Sequence, residues 1–154
     1  MSTTSDDAAF DGRVRQAIAT FIRHRGAVPT IAQVASDLGD EATVRASFDR
    51  MIAEHVFIPK RDSSEIHAYD PFSAESTDFR VWSDDREWWA LCGWDALGIP
   101  AALGVAGTVE SSCADCGERI VIEVDRNGEA ASSSSAVLHV GVPARDFWKD
   151  IYFT

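Results

Sequence analysis

No stretch of this 154-residue chain approaches the roughly 20 consecutive apolar residues that cross a bilayer. Nor does the chain open as a secretory leader would. Residues 1–7 are polar and acidic where a basic and then apolar segment would stand. From these two absences we expect a cytoplasmic protein with no membrane partner. Basic charge is scarce, with 14 Lys and Arg against 25 Asp and Glu and a net charge of -11, a balance that repels phosphate backbones and anionic lipid. The deficit is uneven: residues 1–70 carry 8 basic and 11 acidic side chains, and residues 71–154 carry 6 and 14. Neither half has the electrostatics of a DNA-binding domain. Cysteine is scarce as well and odd in number: Cys92, Cys113 and Cys116, two of them only two residues apart, make a poor disulfide framework and fit free thiols in a reducing compartment. There is no glycine-rich phosphate loop, so no nucleotide or other organic cofactor is expected, and no internal repeat.

What the chain does have is 45% hydrophobic residues, enough for one ordinary core or two small ones that share an interface. After a polar leader over residues 1–9, Phe10, Val14, Ala17, Ile18 and Phe21 recur at helical spacing, and Gly26 supplies a stop. Thr30 followed by Gln33 reads as a capping box for a short second helix with Ile31, Val34, Ala35 and Leu38 inward, ended by Gly39. Asp40 can cap a third helix whose apolar face is Val44, Phe48, Met51 and Ile52. The runs 56–59 and 66–69, separated by a polar turn, read as a hairpin.

Three helices and a hairpin over residues 10–69 predict a winged-helix-like domain. Its third helix would turn Glu41, Arg45, Asp49, Arg50 and Glu54 outward, offering at least as many acids as bases to a major groove, so nucleic acid is disfavoured as a partner. Asp70-Pro71 marks a boundary. Beyond it, residues 70–154 form short strands at 78–82, 88–91, 108–112, 119–124 and 136–142, with one helix over 94–103. The expected class is α+β: an N-terminal winged-helix-like three-helix domain followed by a strand-rich mixed α/β domain. Ser132 to Ser135 is a low-complexity patch, a loop or flexible strand entry by composition.

The most informative stretch is residues 88–100, where a strand runs straight into the first turn of a helix. Cys92 and Asp95 then share one face. A cysteine at a helix N-terminus has its thiolate favoured by unpaired backbone N–H groups and the positive end of the dipole, and an aspartate three residues on can hold a proton or give one away. The plainer reading of the same residues is a buried structural cysteine and a capping carboxylate.

The run Cys92-Gly93-Trp94-Asp95-Ala96-Leu97-Gly98-Ile99-Pro100-Ala101 resembles the active-site segment of organomercurial (alkylmercury) lyases. Asp70-Pro71-Phe72-Ser73-Ala74-Glu75-Ser76-Thr77-Asp78-Phe79 is similar to the segment that precedes it in that family, and Glu110-Ser111-Ser112-Cys113-Ala114-Asp115-Cys116-Gly117 and Val142-Pro143-Ala144-Arg145-Asp146-Phe147-Trp148 also resemble family segments in the same order. The resemblance covers most of residues 10–154 and gives the second domain an alkylmercury-lyase type. It implies that Cys92 is a mercury-binding thiolate and that Asp95 takes part in protonating the departing carbon. Mercury is soft and prefers thiolate sulfur, two thiolates raise electron density on the attached carbon, and a nearby acid completes the cleavage to a hydrocarbon and thiol-bound Hg(II). Implied partners are a small organomercurial or other thiol-reactive ligand and cellular thiols, with Hg(II) as bound product or another soft metal ion in its place. The setting implied is mercury resistance.

One departure stands out. The family's second essential cysteine would fall, counting back from Val142-Pro143, at about Ser133 or Ser134, and serine oxygen is a hard, poor substitute for thiolate on mercury. Cys113-Ala114-Asp115-Cys116-Gly117 resembles a zinc knuckle but supplies two of the four ligands a structural zinc needs. It is then either a tight hairpin turn with two small side chains or a source of the missing thiol, with Cys116 or Cys113 folding back as a metal ligand beside Cys92. The histidines His24, His55, His67 and His139 show no ligand spacing, though His139 lies near the serine patch. Trp82, Trp88, Trp89 and Trp94 read as core that would also keep a pocket dry. Three functions are carried forward: a carbon–mercury lyase; a family member that binds a soft ion or acts on another small molecule; and a thiol-sensing winged-helix regulator.

Overall fold

The computed structural model describes residues 5–130 and 135–152. Helix α1 (Ser5–Arg25) starts inside the segment expected as a leader, because Asp6 and Asp7 in its first turn complement the positive end of the helix dipole. Its buried seam is Asp11, Val14, Ile18 and Ile22, at the three- and four-residue spacing of one helix face. The carboxylate in that seam is satisfied: Ser47 Oγ donates to Asp11 Oδ1 at 2.5 Å, and Arg50 donates to both carboxylate oxygens at 3.0 and 2.6 Å. Burial works against the charge of Asp11, but the Arg50 and Ser47 bonds outweigh it and hold the carboxyl below its ordinary pKa.

Helix α2 (Ile31–Leu38) carries the expected capping box, with Gln33 N–H donating to Thr30 Oγ1 and Thr30 N–H donating to Gln33 Oε1. Helix α3 (Glu41–Ala53) is capped by Asp40, which accepts from Thr43 N–H at 2.9 Å. Val44, Phe48 and Met51 are fully buried under the other two helices, and Phe48 meets Phe57 edge to face at 5.3 Å.

The strands are β1 (Ile58–Pro59), β2 (Ile66–Tyr69), β3 (Phe72–Ser73), β4 (Arg80–Ser83), β5 (Arg86–Ala90), β6 (Gly107–Ser112) and β7 (Arg119–Val124), with helix α4 (Gly93–Leu103) between β5 and β6. Among the described residues they form one seven-stranded sheet in the order β1-β2-β3-β5-β4-β6-β7, each neighbouring pair antiparallel. The sheet therefore runs unbroken past Asp70-Pro71, whose peptide bond is cis. Because β4 is antiparallel to both β5 and β6, those two point the same way, and α4 carries the chain back from one to the other.

Side chains alternate across the sheet. Val81, Trp88 and Val109 lie in register on the buried face, while their neighbours Arg80, Trp89 and Glu110 lie on the outer one. The end of α1 is bolted to β5: Trp88 Nε1 donates to Ile22 O at 3.0 Å, and Gly26 (φ +67°) comes so close that a Cβ there would stand 2.5 Å from the Glu87 carbonyl oxygen.

The strand expected over 136–142 does not form. Residues 135–140 run as exposed chain outside the sheet, with Val137 88% exposed, so their apolar spacing does not face the core. Further on, a 3-10 turn (Ala144–Lys149) brings Trp148 onto His55, the rings stacked at 4.0 Å, and Tyr152 donates to the Pro59 carbonyl at 2.7 Å.

Candidate active site

Strand β5 ends at Ala90 and α4 begins at Gly93, so Cys92 is the N-cap residue of α4, extended at φ -145°, ψ 175°. Asp95 falls at the third helical position, where a capping-box carboxylate would sit. The two side chains meet: Cys92 Sγ donates to Asp95 Oδ2 at 3.2 Å, and the Asp95 carboxylate also accepts from the Cys92 backbone N–H. No cap of ordinary hydrogen-bond length forms on the Cys92 side chain, but the backbone N–H groups of Asp95 and Trp94 face its sulfur.

These N–H groups are what the sequence promised, yet the outcome is reversed. Half-burial raises the Cys92 pKa, the N–H groups pull it down, and the Asp95 carboxylate raises it again, leaving the thiol above its ordinary value. The N–H groups that favour a thiolate are thus opposed here by burial and by the Asp95 carboxylate, toward which the sulfur is directed.

Asp95 is itself raised. Burial is the largest cause, and the negative charge of Asp70 adds to it against the lowering effect of its bonds to Cys92. Asp70, whose carboxyl is pushed above its ordinary pKa by desolvation alone, is a member of this site that spacing along the chain did not reveal. It lies 25 positions before Asp95 and reaches the site because β2, β3 and β5 are neighbours in the sheet. An acidic residue immediately before a proline at a strand end was the only available signal.

The tryptophans are divided between the core and the surface. Trp88 is buried, Trp94 is 70% exposed, and Trp82 and Trp89 lie on the outer face beneath the Arg80 guanidinium. Strand alternation thus puts Trp88 on the buried face of β5 and sends Trp82 and Trp89 to the other. Gly93 is packed tightly instead: a Cβ there would meet Leu138 Cδ1 at 2.8 Å and Phe79 at 3.3 Å, so the exposed 135–140 segment passes over the start of α4. Ser133 and Ser134 lie outside the described residues.

Cys113 and Cys116 occupy the tip of the β6–β7 hairpin. Cys113 N–H donates to Glu118 O at 2.8 Å and Gly117 N–H donates to Cys113 O at 2.9 Å, with Gly117 at φ +74°. Backbone N–H groups of Cys116 and Asp115 and the Cys116 thiol all act on the Cys113 sulfur, and its pKa falls below the ordinary value. Among the described residues no three His, Cys, Asp or Glu side chains are gathered to hold a metal ion, so the three cysteines do not form one cluster. His139 is exposed, and His24 and His55 sit at the ends of α1 and α3 as expected.

The arginines of α3 are engaged within the protein. Arg45 pairs with Glu41, and Arg50, expected to face outward, turns to Asp11 and Asp7 because the buried carboxylate of α1 needs a cation. That pairing further weakens a nucleic-acid reading.

Comparison with known proteins follows the same residues. Residues 72–153 match the family model MerB: Alkylmercury lyase. A search of curated proteins gives no match. Among solved structures, the crystal structure of the mercury-bound form of MerB2 aligns with a TM-score of 0.59 at 21% identity, over 85% of this chain and 61% of that one. This likeness carries the mixed α+β fold, and the chain spans 61% of the length of that protein.

Proposed function

The chain belongs to the alkylmercury lyase family, and from that premise we propose that it cleaves carbon–mercury bonds by protonolysis, with Cys92 taking the metal and Asp95 passing the proton. The observation that carries this reading is the 3.2 Å hydrogen bond from Cys92 Sγ to Asp95 Oδ2.

A thiol that keeps its proton in contact with a carboxylate is suited to this reaction, because the proton lost on binding mercury is the proton the carbon needs. When the sulfur of Cys92 bonds to the mercury of a thiol-bound organomercurial, its proton moves to Asp95, whose raised pKa makes it a ready acceptor. Asp95 then delivers that proton to the carbon as the carbon–mercury bond breaks. The hydrocarbon leaves, and Hg(II) remains between Cys92 and the small thiol that came with it. Atoms and charge balance with no change of oxidation state. Asp70 touches no reacting atom; it acts through Asp95 by keeping that carboxyl basic.

The second thiolate on mercury comes from a cellular thiol in this scheme, which fits an acidic cytoplasmic protein in a mercury-resistance setting. A second reading, binding of a soft ion without turnover, is favoured by one observation: the described part of the site offers a single sulfur.

The test is to incubate the reduced protein with phenylmercury and excess small thiol and to measure benzene. Wild type releases it, and Cys92→Ala and Asp95→Asn lose about 100-fold or more in rate. Mercury retained with no benzene released would overturn the lyase and leave the binder. Benzene released by Cys92→Ala at the wild-type rate would overturn the role of Cys92.

A further inference from the structure

The hairpin tip that carries Cys113 and Cys116 is not used by this chemistry, yet it is built as a ligand. The turn is closed by Cys113 N–H to Glu118 O on one side and Gly117 N–H to Cys113 O on the other, which sets Cys113 and Cys116 on one tight turn. Within it the N–H groups of Asp115 and Cys116 point at the Cys113 sulfur, so negative charge on sulfur is already solvated by the backbone. Cys116 is exposed and Cys113 partly so, both are free, and Glu118 adds negative charge beside them. No third ligand is gathered at the tip among the described residues, which disfavours tetrahedral zinc and suits a soft ion content with two sulfurs.

The tip is also placed to receive cargo. Trp89 of β5 and Glu110 of β6 both pair with Arg80, so the two strands leave the sheet at the same end, and Cys92 and Cys113 each follow three residues later. With only β4 between them, the two strands are about 10 Å apart.

We propose that Cys113 and Cys116 form a second, self-contained site for a thiophilic cation, a two-thiolate chelate that takes Hg(II) from small thiols at the same sheet end as Cys92. In the exchange two mercury–sulfur bonds to carrier thiols break and two form to the protein, and the protons of Cys113 and Cys116 leave on the carriers. Nothing is oxidised or reduced. That the ion arriving there is the product of the neighbouring site rests on the carbon–mercury reading; the chelate itself does not.

The test uses the full reduced chain and Hg(II) buffered by millimolar glutathione, reading protein-bound mercury after desalting and the near-ultraviolet thiolate-to-mercury absorption. Cys92→Ala retains one Hg(II) per chain. In that background Cys113→Ser and Cys116→Ser each weaken retention roughly 100-fold or more, since closing the second bond within one turn is what outcompetes a free thiol. Phenylarsine oxide, which needs two adjacent thiols, gives a second readout: it labels the Cys92→Ala chain at peptide 113–117 and does not label the serine variants. Retention unchanged in Cys116→Ser, or lost in Cys92→Ala, would overturn the proposal. A chain that releases no benzene from phenylmercury but retains added Hg(II) through this pair would overturn the lyase alone.

Discussion

The turn at Cys92 and the turn at Cys113 are built alike. Each presents a cysteine sulfur to two backbone N–H groups, and each places a second acidic group three residues on, Asp95 in one and Cys116 in the other. Their pKa values nonetheless move in opposite directions, up at Cys92 and down at Cys113. The difference lies in burial and in what the third residue carries. Desolvation is the largest influence on Cys92, which also has a carboxylate against its sulfur, whereas at Cys113 desolvation is minor and a cysteine takes the place of the carboxylate. Backbone N–H groups at the start of a turn do not by themselves make a thiolate. They set a common bias, and solvent and charge decide the sign.

The sharpest way to break this comparison is to alkylate the folded protein with iodoacetamide near neutral pH and map the label by mass spectrometry. Cys113 reacts faster than Cys92 by about tenfold for each unit that separates their pKa values, and the gap closes when the chain is unfolded in denaturant. Equal rates in the folded protein would contradict the difference drawn here. A smaller effect isolates charge from burial: Asp95→Asn leaves Cys92 covered but removes the carboxylate, and its alkylation rises roughly 3- to 10-fold. No rise would assign the whole shift to burial.

The smallest effect concerns Asp70. Its charge raises the pKa of Asp95, so Asp70→Asn lowers it. Below that pKa Asp95 already carries a proton and cannot accept one from Cys92, so the acid limb of the pH–rate profile moves to lower pH by about half a unit. The same variant changes stability with a definite sign. Asp70 is raised in the folded state, so its ionisation is disfavoured there, and the penalty sets in as pH rises from the ordinary carboxylate range toward the folded pKa. Asp70→Asn is therefore more stable than wild type at neutral pH and equal to it below that range, as thermal melts across pH would show.

Much of the helical layer was legible because its signals are local. The Thr30–Gln33 capping box, the Asp40 cap and the stripe through Val14 and Ile18 are each written within a few residues, and each is realised. The pairing of Cys92 with Asp95 was legible for the same reason, being a contact across one helical turn. What was lost depends on distance along the chain. Arg50 looked like a surface cation until the buried Asp11, 39 positions away, claimed it. Asp70 had no visible link to Asp95 until the sheet brought β3 beside β5. The 136–142 stretch has the composition of a strand, but composition does not fix a place in the sheet, and these residues lie outside it. The direction of the Cys92 shift was missed because a spacing shows which N–H groups face a sulfur and not how much water does.

The bond from Trp88 to the Ile22 carbonyl has an optical consequence. An indole held in apolar surroundings with its N–H committed to a carbonyl emits at shorter wavelength than one in water, and Trp94, at the surface beside Cys92, supplies the contrast within the same molecule. The strand that carries Trp88 ends two residues before that cysteine. Intrinsic fluorescence is thus a built-in gauge of whether α1 is seated on the strand that presents the sulfur, readable without a label.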